Sequence, residues 1–412
     1  MASDRSAHAH KNRNGLKVAL ILLGVLVAAA IAIVVVNPLR VRVVLDGDRN
    51  VTVNYGEEYK ELGAEAYLGA RYYPKHLADL EVTTYGNVDT SKIGTYEISY
   101  SAKWWYFSGK TVRRVQVVDA NPPQIALNGE QHIALEAGTS FEDPGVCAQD
   151  DVDGDLTTQV NVQGEVDMMT VGEYTLTYTV SDASGNTAET TRTVTVEPVK
   201  QKSQVNPGHK VVYLTFDDGP SKYTPKLLDV LKSHNVHATF FVTGNGDRSI
   251  IARAAAEGNA IGVHTMSHNY EKIYSSKEAY LADFNAINDV IEAQTGKRAE
   301  IFRFPGGSSN TVSSFNSGIM TTLSTDMQNL GYRYFDWNVS SGDAGGVNAS
   351  EAVYDNVIKG IQSNDVSVVL QHDTQGFSVE AVDKIITWGL SNGYTFLPLD
   401  VTSPGMHHPI AN

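Results

Sequence analysis

The chain has 412 residues, of which 42% are hydrophobic, and a formal net charge of −15. This length and composition predict two to four domains with packed cores. The negative net charge argues against nucleic-acid binding, because the sequence has no cluster of Lys and Arg that could bind phosphates. Cys147 is the only cysteine, which excludes a disulfide within the chain.

The first predicted element is a membrane-spanning helix over residues 18–36. These residues carry no charge, and as a helix they span about 28 Å, close to the thickness of a hydrocarbon core. Basic residues precede the helix, which predicts a cytoplasmic tail over residues 1–17 and the remainder of the chain outside. A cleaved signal peptide is the alternative. The length of the apolar run and the Asn37-Pro38 pair after it favour a retained anchor.

Residues 40–197 have the pattern of two tandem β-domains. Gly86 and Gly94 recur 78 residues further on, within similar short segments. Alternating apolar residues and frequent turns predict the half-buried strands of a β-sandwich. Both copies resemble bacterial immunoglobulin-like cell-surface domains, with predicted boundaries at 40–119 and 120–197.

Two features of these β-domains could bind a ligand. Four aspartates lie within residues 150–155 and offer the oxygen ligands that calcium prefers. The loop lacks the spacing and the distal Glu of an EF-hand, so an acidic turn is favoured over a calcium site. An aromatic run over residues 104–107 could stack on sugar rings, although packing within a hairpin is favoured.

Residues 198–208 are polar and proline-containing, as expected of a linker. From residue 209 to residue 402, predicted strands alternate with helices. Thr224 and the Ser275–Glu278 capping box mark the starts of two helices. This alternation predicts a parallel sheet, closed as a distorted, incomplete (β/α) barrel of about seven strands with its active site at their carboxyl ends. The predicted strands begin near residues 211, 238, 260, 301, 332, 366 and 394.

Carboxylates and imidazoles follow two of these strands. Asp217 and Asp218 end the run that begins at Val211. Side chains alternate along a strand, so the two carboxylates can point in different directions. His264 and His268 follow a later strand, and on a helical turn residues four apart share a face, so both rings could reach one ion. Two His and one carboxylate are a common open metal site.

Three further motifs follow: Arg303-Phe304-Pro305-Gly306-Gly307, Trp337 to Asp343, and Leu370-Gln371-His372. The ordered set resembles the polysaccharide deacetylases of carbohydrate esterase family 4, the NodB-homology domain, over residues 209–402. The fourth motif departs from the family, because Ala344 follows Asp343 where the family often has Trp. One wall of the acetyl pocket is therefore left unassigned, as is the choice between Asp343 and Asp336.

The resemblance implies a metal site. Asp218, His264 and His268 would bind a divalent ion, most simply Zn²⁺, with Co²⁺, Ni²⁺ or Mn²⁺ as the other candidates. The ion would lower the pKa of water and polarise the acetyl carbonyl. A metal-independent hydrolase that uses the Asp pair is the alternative, and the His pair makes it a poor fit.

The resemblance also implies catalytic roles. Asp217 would be the general base, oriented and kept ionised by Arg303. The N–H of Gly306 would hold the oxyanion. His372 would protonate the departing amine, with Asp343 keeping it oriented and cationic. The substrate would be contacted by Pro305, Gly307, Trp337 and Leu370.

The sequence thus predicts a single-pass membrane protein with two immunoglobulin-like domains and an extracellular catalytic barrel. Its predicted reaction is metal-dependent removal of N-acetyl groups from N-acetylglucosamine residues of a surface polysaccharide, with peptidoglycan as the first candidate. The alternatives are a deacetylase or O-acetyl esterase on chitin, xylan or exopolysaccharide, or a non-catalytic glycan-binding protein. No protein partner follows from the sequence.

Overall fold

The computed structural model of the protein describes residues 6–36, 38–70 and 76–411. Helix α1 (Ser6–Val36) is continuous over 31 residues. Its segment Gly15–Ala32 has a mean hydropathy of 2.5 and is long and apolar enough to cross a membrane. A signal sequence has the same character, so the helix is compatible with both interpretations of the sequence.

Among the described residues, seven strands follow and form two sheets, β1-β3-β4 and β2-β7-β6-β5. β2 runs parallel to β7, and the other pairs of this domain are antiparallel. In the hairpin between β6 and β7, Trp104 stacks on Phe107, whereas Trp105 and Tyr106 at the tip are 84% and 97% exposed. The strands are β1 (Leu39–Leu45), β2 (Asn50–Asn54), β3 (Ala64–Ala70), β4 (Ala78–Leu80), β5 (Thr83–Tyr85), β6 (Gly94–Trp104) and β7 (Phe107–Val118).

The next seven strands repeat this layout in the sheets β8-β10-β11 and β9-β14-β13-β12. The pairing of β9 with β14 is again parallel. The prediction of two immunoglobulin-like sandwiches is therefore confirmed. A single 3-10 turn, Thr157–Gln159, lies between β11 and β12. The strands are β8 (Gln124–Leu127), β9 (His132–Glu136), β10 (Val146–Asp150), β11 (Gly154–Asp155), β12 (Asn161–Gln163), β13 (Gly172–Ser181) and β14 (Thr187–Glu197).

Backbone conformation explains why a glycine occurs at the same place, Gly86 and Gly164, in both copies of the repeat. Gly86 and Gly164 both have φ in the left-handed region, at 111° and 106°. A Cβ at Gly86 would lie 2.5 Å from the carbonyl oxygen of Glu97, and a Cβ at Gly164 would lie 2.2 Å from that of Thr175. Only glycine allows the chain to approach the next strand so closely, so both copies retain it.

A buried arginine is found in each sandwich among the residues that the structure describes. Arg113 pairs with Glu61 in the first domain, and Arg192 pairs with Asp143 in the second. Both guanidinium groups are almost fully buried, and each also donates to backbone carbonyl oxygens. A buried charge is tolerated only when it is paired and hydrogen-bonded, so each arginine fixes a loop to a strand of its own domain.

The predicted linker, residues 198–208, is hydrogen-bonded along its length. The amide of Val199 donates to Asn329 O at 2.8 Å, and the amide of Val205 donates to Thr402 O at 2.8 Å. Between these two points, Arg333 donates to the carbonyl oxygen of Lys202 at 3.0 Å. The segment therefore lies along the surface of the C-terminal domain.

The C-terminal domain contains eight parallel strands and seven helices within the described residues. The strands are β15 (Val211–Asp217), β16 (Thr239–Val242), β17 (Ala260–Val263), β18 (Ile301–Phe302), β19 (Arg333–Tyr334), β20 (Val339–Ser340), β21 (Val366–His372) and β22 (Thr395–Phe396). The helices are α2 (Thr224–Ser233), α3 (Ser249–Ala256), α4 (Tyr270–Ile273), α5 (Lys277–Thr295), α6 (Ile319–Asn329), α7 (Ser350–Gln362) and α8 (Gly376–Ser391).

The sheet has the order β19-β18-β17-β16-β15-β21-β20, and β22 also pairs with β15. Strands β19 and β20 are consecutive in the chain but occupy opposite ends of this order, so the barrel is open between them. This arrangement confirms the predicted incomplete barrel. The short strand β20 was not among the predicted strands, since two residues carry no periodicity.

The core lies on both faces of the sheet. Along β15, Val212, Leu214 and Phe216 belong to the cluster beneath the helices, whereas Val211 and Tyr213 belong to the cluster inside the barrel. This alternation is the period of a strand that is buried on both faces. The same alternation makes Thr215 and Asp217 face the interior of the barrel, where a polar site can be enclosed.

Two predicted helix starts were wrong. The N-cap position of α2 is Tyr223, and Thr224 is the first helical residue; its hydroxyl accepts from Ser221 N and donates to Asp373. Ser276, one residue after the predicted cap, accepts from Ala279 N at the start of α5. Tertiary contacts thus outweigh local capping preference at Thr224.

We expect Gly164→Ala to destabilise the second immunoglobulin-like domain by about 3 kcal/mol, because the new Cβ would be strained in φ and would clash with a carbonyl oxygen. Gly185→Ala is the matched control, since Gly185 also has positive φ (92°) but has no atom within 4 Å of the Cβ position. Scanning calorimetry of the full chain measures both. Equal losses in the two variants would contradict the proposed close approach.

Candidate active site

The side chains of Asp217 and Asp218 point in different directions, as the alternation of side chains along a strand predicts. Asp217 is the last residue of β15 and lies inside the barrel, where its Oδ1 accepts from Arg303 Nη1 at 2.9 Å. Asp218 follows the strand with φ at 72°, a conformation that is costly for a residue with a side chain. The strain turns Asp218 away from Arg303 and toward the histidines.

Asp218, His264 and His268 come together. Asp218 Oδ1 lies 3.5 Å from His264 Nε2 and 3.4 Å from His268 Nε2. The prediction that the histidines share a helical turn was wrong, because residues 264–269 form a loop after β17. Within it, Thr265 and His268 have φ at 67° and 50°, and this turn brings the two rings to 5.1 Å between centroids.

The donor set fits a divalent metal ion. Asp218 Oδ1 is buried and accepts no hydrogen bond from a described residue. His264 Nδ1 donates to Arg303 O at 2.8 Å. The lone pair of the ring is therefore on Nε2, which faces Asp218. Burial lowers the pKa of His264 to about 3, so the ring is a neutral imidazole as a ligand requires. Imidazole and carboxylate together suit Zn²⁺ and its neighbours in the transition series.

A buried aspartate that the sequence analysis missed holds this loop. Asp283 on α5 accepts from Ser267 N at 2.8 Å, and its other oxygen pairs with Lys272 Nζ at 2.7 Å. The signal was present in the sequence, because Asp283 lies between Tyr280 and Phe284 on the apolar stripe of α5. A charge on the buried face of a helix requires a partner, and here the partner is the histidine loop.

Arg303 is fully buried and spans the interior of the barrel. It donates to four groups, and its guanidinium stacks 4.4 Å from the ring of Phe241. Burial raises the pKa of Asp217 above its ordinary value, and the charge of Arg303 opposes the rise. The acceptors are Phe335 O at 2.8 Å, Thr215 Oγ1 at 2.7 Å, Asp217 Oδ1 at 2.9 Å and Asp336 O at 2.9 Å.

His372 pairs with Asp343. The imidazole Nδ1 lies 2.8 Å from Asp343 Oδ1, and the amide of His372 donates to Asp343 Oδ2 at 2.8 Å. Asp336 instead accepts from Ser308 and from the amide of His408. Burial acts against protonation of His372, but the hydrogen bond to Asp343 and the nearby carboxylates outweigh it and raise its pKa to about 9. His372 is therefore an imidazolium at neutral pH.

Asp373, the residue directly after His372 in the sequence, makes different contacts. Its Oδ2 accepts from the hydroxyl of Thr224, and a Cβ on Gly219 would lie 2.2 Å from this carboxyl group. Burial and the charges of Asp218 and Asp217, opposed by the Thr224 hydroxyl, raise the pKa of Asp373 to about 7. Asp373 thus packs beneath the turn that follows Asp218 and does not touch the imidazole.

These groups line one cavity of about 370 Å³. The predicted contact residues Gly306, Trp337 and Leu370 line it, and Pro305 and Gly307 are not among its described lining residues. The amide of Gly306 donates to no other described residue. Three lining residues that the sequence analysis missed each lie within three positions of a motif histidine. They are Tyr270, Thr374 and Gln375.

Family models match both halves of the chain. Residues 204–334 match the polysaccharide deacetylase family, and residues 43–117 and 125–196 match the Ig-like domain of bacterial surface proteins. The catalytic domain of the peptidoglycan N-acetylglucosamine deacetylase of Eubacterium rectale is similar in structure, with a TM-score of 0.51 and 54% identity. That match covers 51% of this chain and 98% of the other.

Curated relatives match the same half of the chain. A putative polysaccharide deacetylase of Bacillus subtilis, YheN, is 33% identical over 50% of this chain and 73% of its own length. A peptidoglycan-N-acetylglucosamine deacetylase of Bacillus cereus is 33% identical over 45% and 68%. The peptidoglycan-N-acetylmuramic acid deacetylase PdaA of Bacillus subtilis is 32% identical over 47% and 72%.

Fold, site and relatives together define a hydrolase that acts on acetylated polysaccharides. The chain belongs to the polysaccharide deacetylase family, carbohydrate esterase family 4, with two bacterial surface Ig-like domains before its catalytic domain.

We expect Asp343→Asn to lower the pKa of His372 toward its ordinary value, because the substitution removes the charge that stabilises the imidazolium. Nitrogen-15 NMR of histidine-labelled, metal-free protein measures this pKa directly. Asp336→Asn is the control and should leave the value unchanged, since Asp336 does not contact the ring. The contribution of the His372–Asp343 pair to stability should be complete below about pH 6.5 and lost as pH rises through about 9.

Proposed function

We propose that the protein is a membrane-anchored, metal-dependent deacetylase that removes N-acetyl groups from N-acetylglucosamine residues of peptidoglycan. The observation that carries the proposal is the convergence of three different chemical groups on one cavity. They are the Asp218–His264–His268 donor set, the buried Asp217 carboxylate and the His372 imidazolium. Each has a use in amide hydrolysis: the donor set would hold an ion that polarises the carbonyl, the carboxylate can take a proton from water, and the imidazolium can protonate the amine, which is otherwise a poor leaving group.

Asp218, His264 and His268 would hold the ion, with zinc as the first candidate. A divalent ion bound there supplies Lewis-acid polarisation of the acetyl carbonyl and lowers the pKa of water. The histidine loop is held by Asp283 and the His264 ring by Arg303, so the donor atoms are oriented in advance. Such outer contacts commonly set metal affinity as strongly as the ligands themselves.

Asp217 is the general base. Its Oδ2 lies 3.8 Å from His264 Nε2, so it faces the same space as the donor set. Its raised pKa makes it a better proton acceptor than an ordinary aspartate, and Arg303 occupies its other oxygen. The amide of Gly306 lines the cavity and donates to the oxyanion as the carbonyl carbon becomes tetrahedral.

His372 is the general acid. It enters the reaction protonated, with Asp343 fixing the ring through Nδ1, so that Nε2 donates the proton to the departing amine nitrogen. Trp337 and Leu370 form the apolar wall against the acetyl methyl group. Ala344 lines the same cavity, and Trp337 supplies an aromatic surface in place of the tryptophan that the family often has after this aspartate.

The architecture before the barrel supports the choice of substrate. The apolar N-terminal helix fits a membrane anchor, and the Ig-like domains match those of bacterial surface proteins. Two relatives are named for deacetylation of N-acetylglucosamine in peptidoglycan and one for deacetylation of N-acetylmuramic acid. We favour N-acetylglucosamine, because the structural relative with 54% identity is named for that sugar.

Asp217→Asn should lower turnover by about 10² or more while the protein keeps its metal, because Asn can accept from Arg303 but cannot take a proton. His264→Ala should lose metal and activity together. Metal content by mass spectrometry and acetate release measure the two effects separately. His234→Ala is the matched control, since this half-buried histidine pairs with Asp383 outside the cavity. Full zinc occupancy in His264→Ala would remove the ligand assignment.

The substrate is tested by acetate release from peptidoglycan, chitin oligomers and acetylated xylan, each with zinc and with a chelator. We expect zinc-dependent release from peptidoglycan and free amines on glucosamine after hydrolysis of the product. Free amines on muramic acid would contradict the proposed sugar. Release from xylan alone would identify an esterase, and no release by metal-loaded protein from any polymer would leave a glycan-binding function.

A further inference from the structure

A second group of acidic side chains lies in the immunoglobulin-like region, far along the chain from the catalytic residues. Asp119 follows β7 at the end of the first domain; in the second domain, Asp150 is the last residue of β10 and Asp153 lies in the turn between β10 and β11. One ligand oxygen from each lies within 4.8 Å of the other two. Two oxygens bound to the same calcium ion can lie about 5 Å apart, twice the Ca–O distance.

Local turn chemistry accounts for only part of this cluster. Asp150 Oδ1 accepts from the amides of Val152 and Asp153, both at 2.9 Å, as an acidic turn requires. Asp119 Oδ1 likewise accepts from the amide of Asn121 at 3.1 Å. In each case, one carboxylate oxygen is enough to form the turn.

Asp153 Oδ2 accepts from the amide of Ala183 at 2.7 Å, whereas the second oxygens of Asp119 and Asp150 have no such partner. Asp119 and Asp150 are only 7% and 4% exposed, and the Oδ2 atom of each is buried and accepts no hydrogen bond from any described residue. An ionised carboxylate is an acceptor only, and burying one without a donor or a cation is costly. Two such oxygens in the same cluster point to a shared positive ligand.

No side chain supplies that charge. Among the described residues, no Lys or Arg forms an ion pair with Asp119, Asp150 or Asp153. The surroundings add negative charge instead, since Asp182 and Asp151 also act electrostatically on Asp119. Within the part of the chain that the structure describes, the cluster therefore has no counter-charge.

We propose that Asp119, Asp150 and Asp153 form a calcium site that joins the two immunoglobulin-like domains. All three donors are carboxylate oxygens, which select hard cations over zinc. Three carboxylates leave part of the six- to eight-fold coordination of calcium to water and main-chain oxygens. Such a site would bind at the calcium concentrations of about 10⁻⁴–10⁻³ M that are typical of extracellular modules.

The surrounding hydrogen bonds already connect the two domains at this point. Asn121 Nδ2 donates to Asp151 Oδ2 at 2.9 Å, and Asn186 Nδ2 donates to the carbonyl oxygen of Asp119 at 3.3 Å. Asn54 holds Asn121 in turn, through a bond of 2.6 Å to its side-chain oxygen. Calcium would add a charged link to this neutral network, so the site would stiffen the connection between the domains.

The test is calorimetric titration of the full-length protein in detergent micelles with CaCl₂, after removal of divalent ions. We expect one calcium ion per chain for the wild type. Asp119→Asn and Asp150→Asn should bind at least about tenfold more weakly, because ligand charge sets calcium affinity. Asp155→Asn is the matched control, since this exposed aspartate of the neighbouring strand β11 accepts from the amide of Thr157 and lies outside the cluster.

Thermal unfolding separates ligation from a structural role. Each Asn variant should unfold at or above the wild-type temperature without calcium, because it removes one of several repelling charges, and should lose the rise that calcium gives the wild type. The proposal is overturned if the wild type binds no calcium at about 5 mM, or if both Asn variants bind like the wild type. Loss of calcium binding in Asp218→Asn would assign the ion to the catalytic cavity and would also overturn it.

Discussion

The catalytic site depends on one buried positive charge. The Arg303 guanidinium has no access to water, so it is tolerated only because backbone carbonyls, a hydroxyl and a carboxylate surround it. The same residue positions the proposed base Asp217 through its side chain and the proposed ligand His264 through its carbonyl oxygen. Its bonds to Phe335 O and Asp336 O fasten the chain just after β19, at the edge where the barrel is open. The burial of the Arg303 charge, the position of the chain after β19 and the orientation of Asp217 and His264 therefore depend on one shared set of contacts.

The second constraint is the arrangement of strand ends. Because the strands are parallel, motifs that are distant in the sequence meet at one edge of the sheet. The register pairs Asp217 with His372 across β15 and β21, so the proposed base and acid are neighbours through backbone hydrogen bonds alone. Residues after the strands are then free to turn. Asp218, Thr265 and His268 all do so in the left-handed region, which is where strain is tolerated at functional sites.

Much of this could be predicted from the sequence because it rests on short-range rules. Strand period separates Asp217 from Asp218, and apolar runs before each motif place the motifs at strand ends. The failures have long-range causes. The conformation of the histidine loop depends on a hydrogen bond to Asp283 on a following helix. The hydroxyl of Thr224 donates to Asp373, 149 residues away, and so does not cap the helix. Strand β20 exists only because β21 offers it an edge. None of these partners can be identified from a local window of sequence.

Residues 198–208 carry a mechanical consequence. Eleven unattached residues of flexible composition would have a root-mean-square span of about 18 Å and would let a tethered enzyme diffuse within that radius. Instead, the backbone groups of Val199, Lys202 and Val205 form hydrogen bonds with the C-terminal domain, which hold the segment against its surface. Residues 199–205 therefore behave as part of the C-terminal domain and contribute no flexible tether of their own.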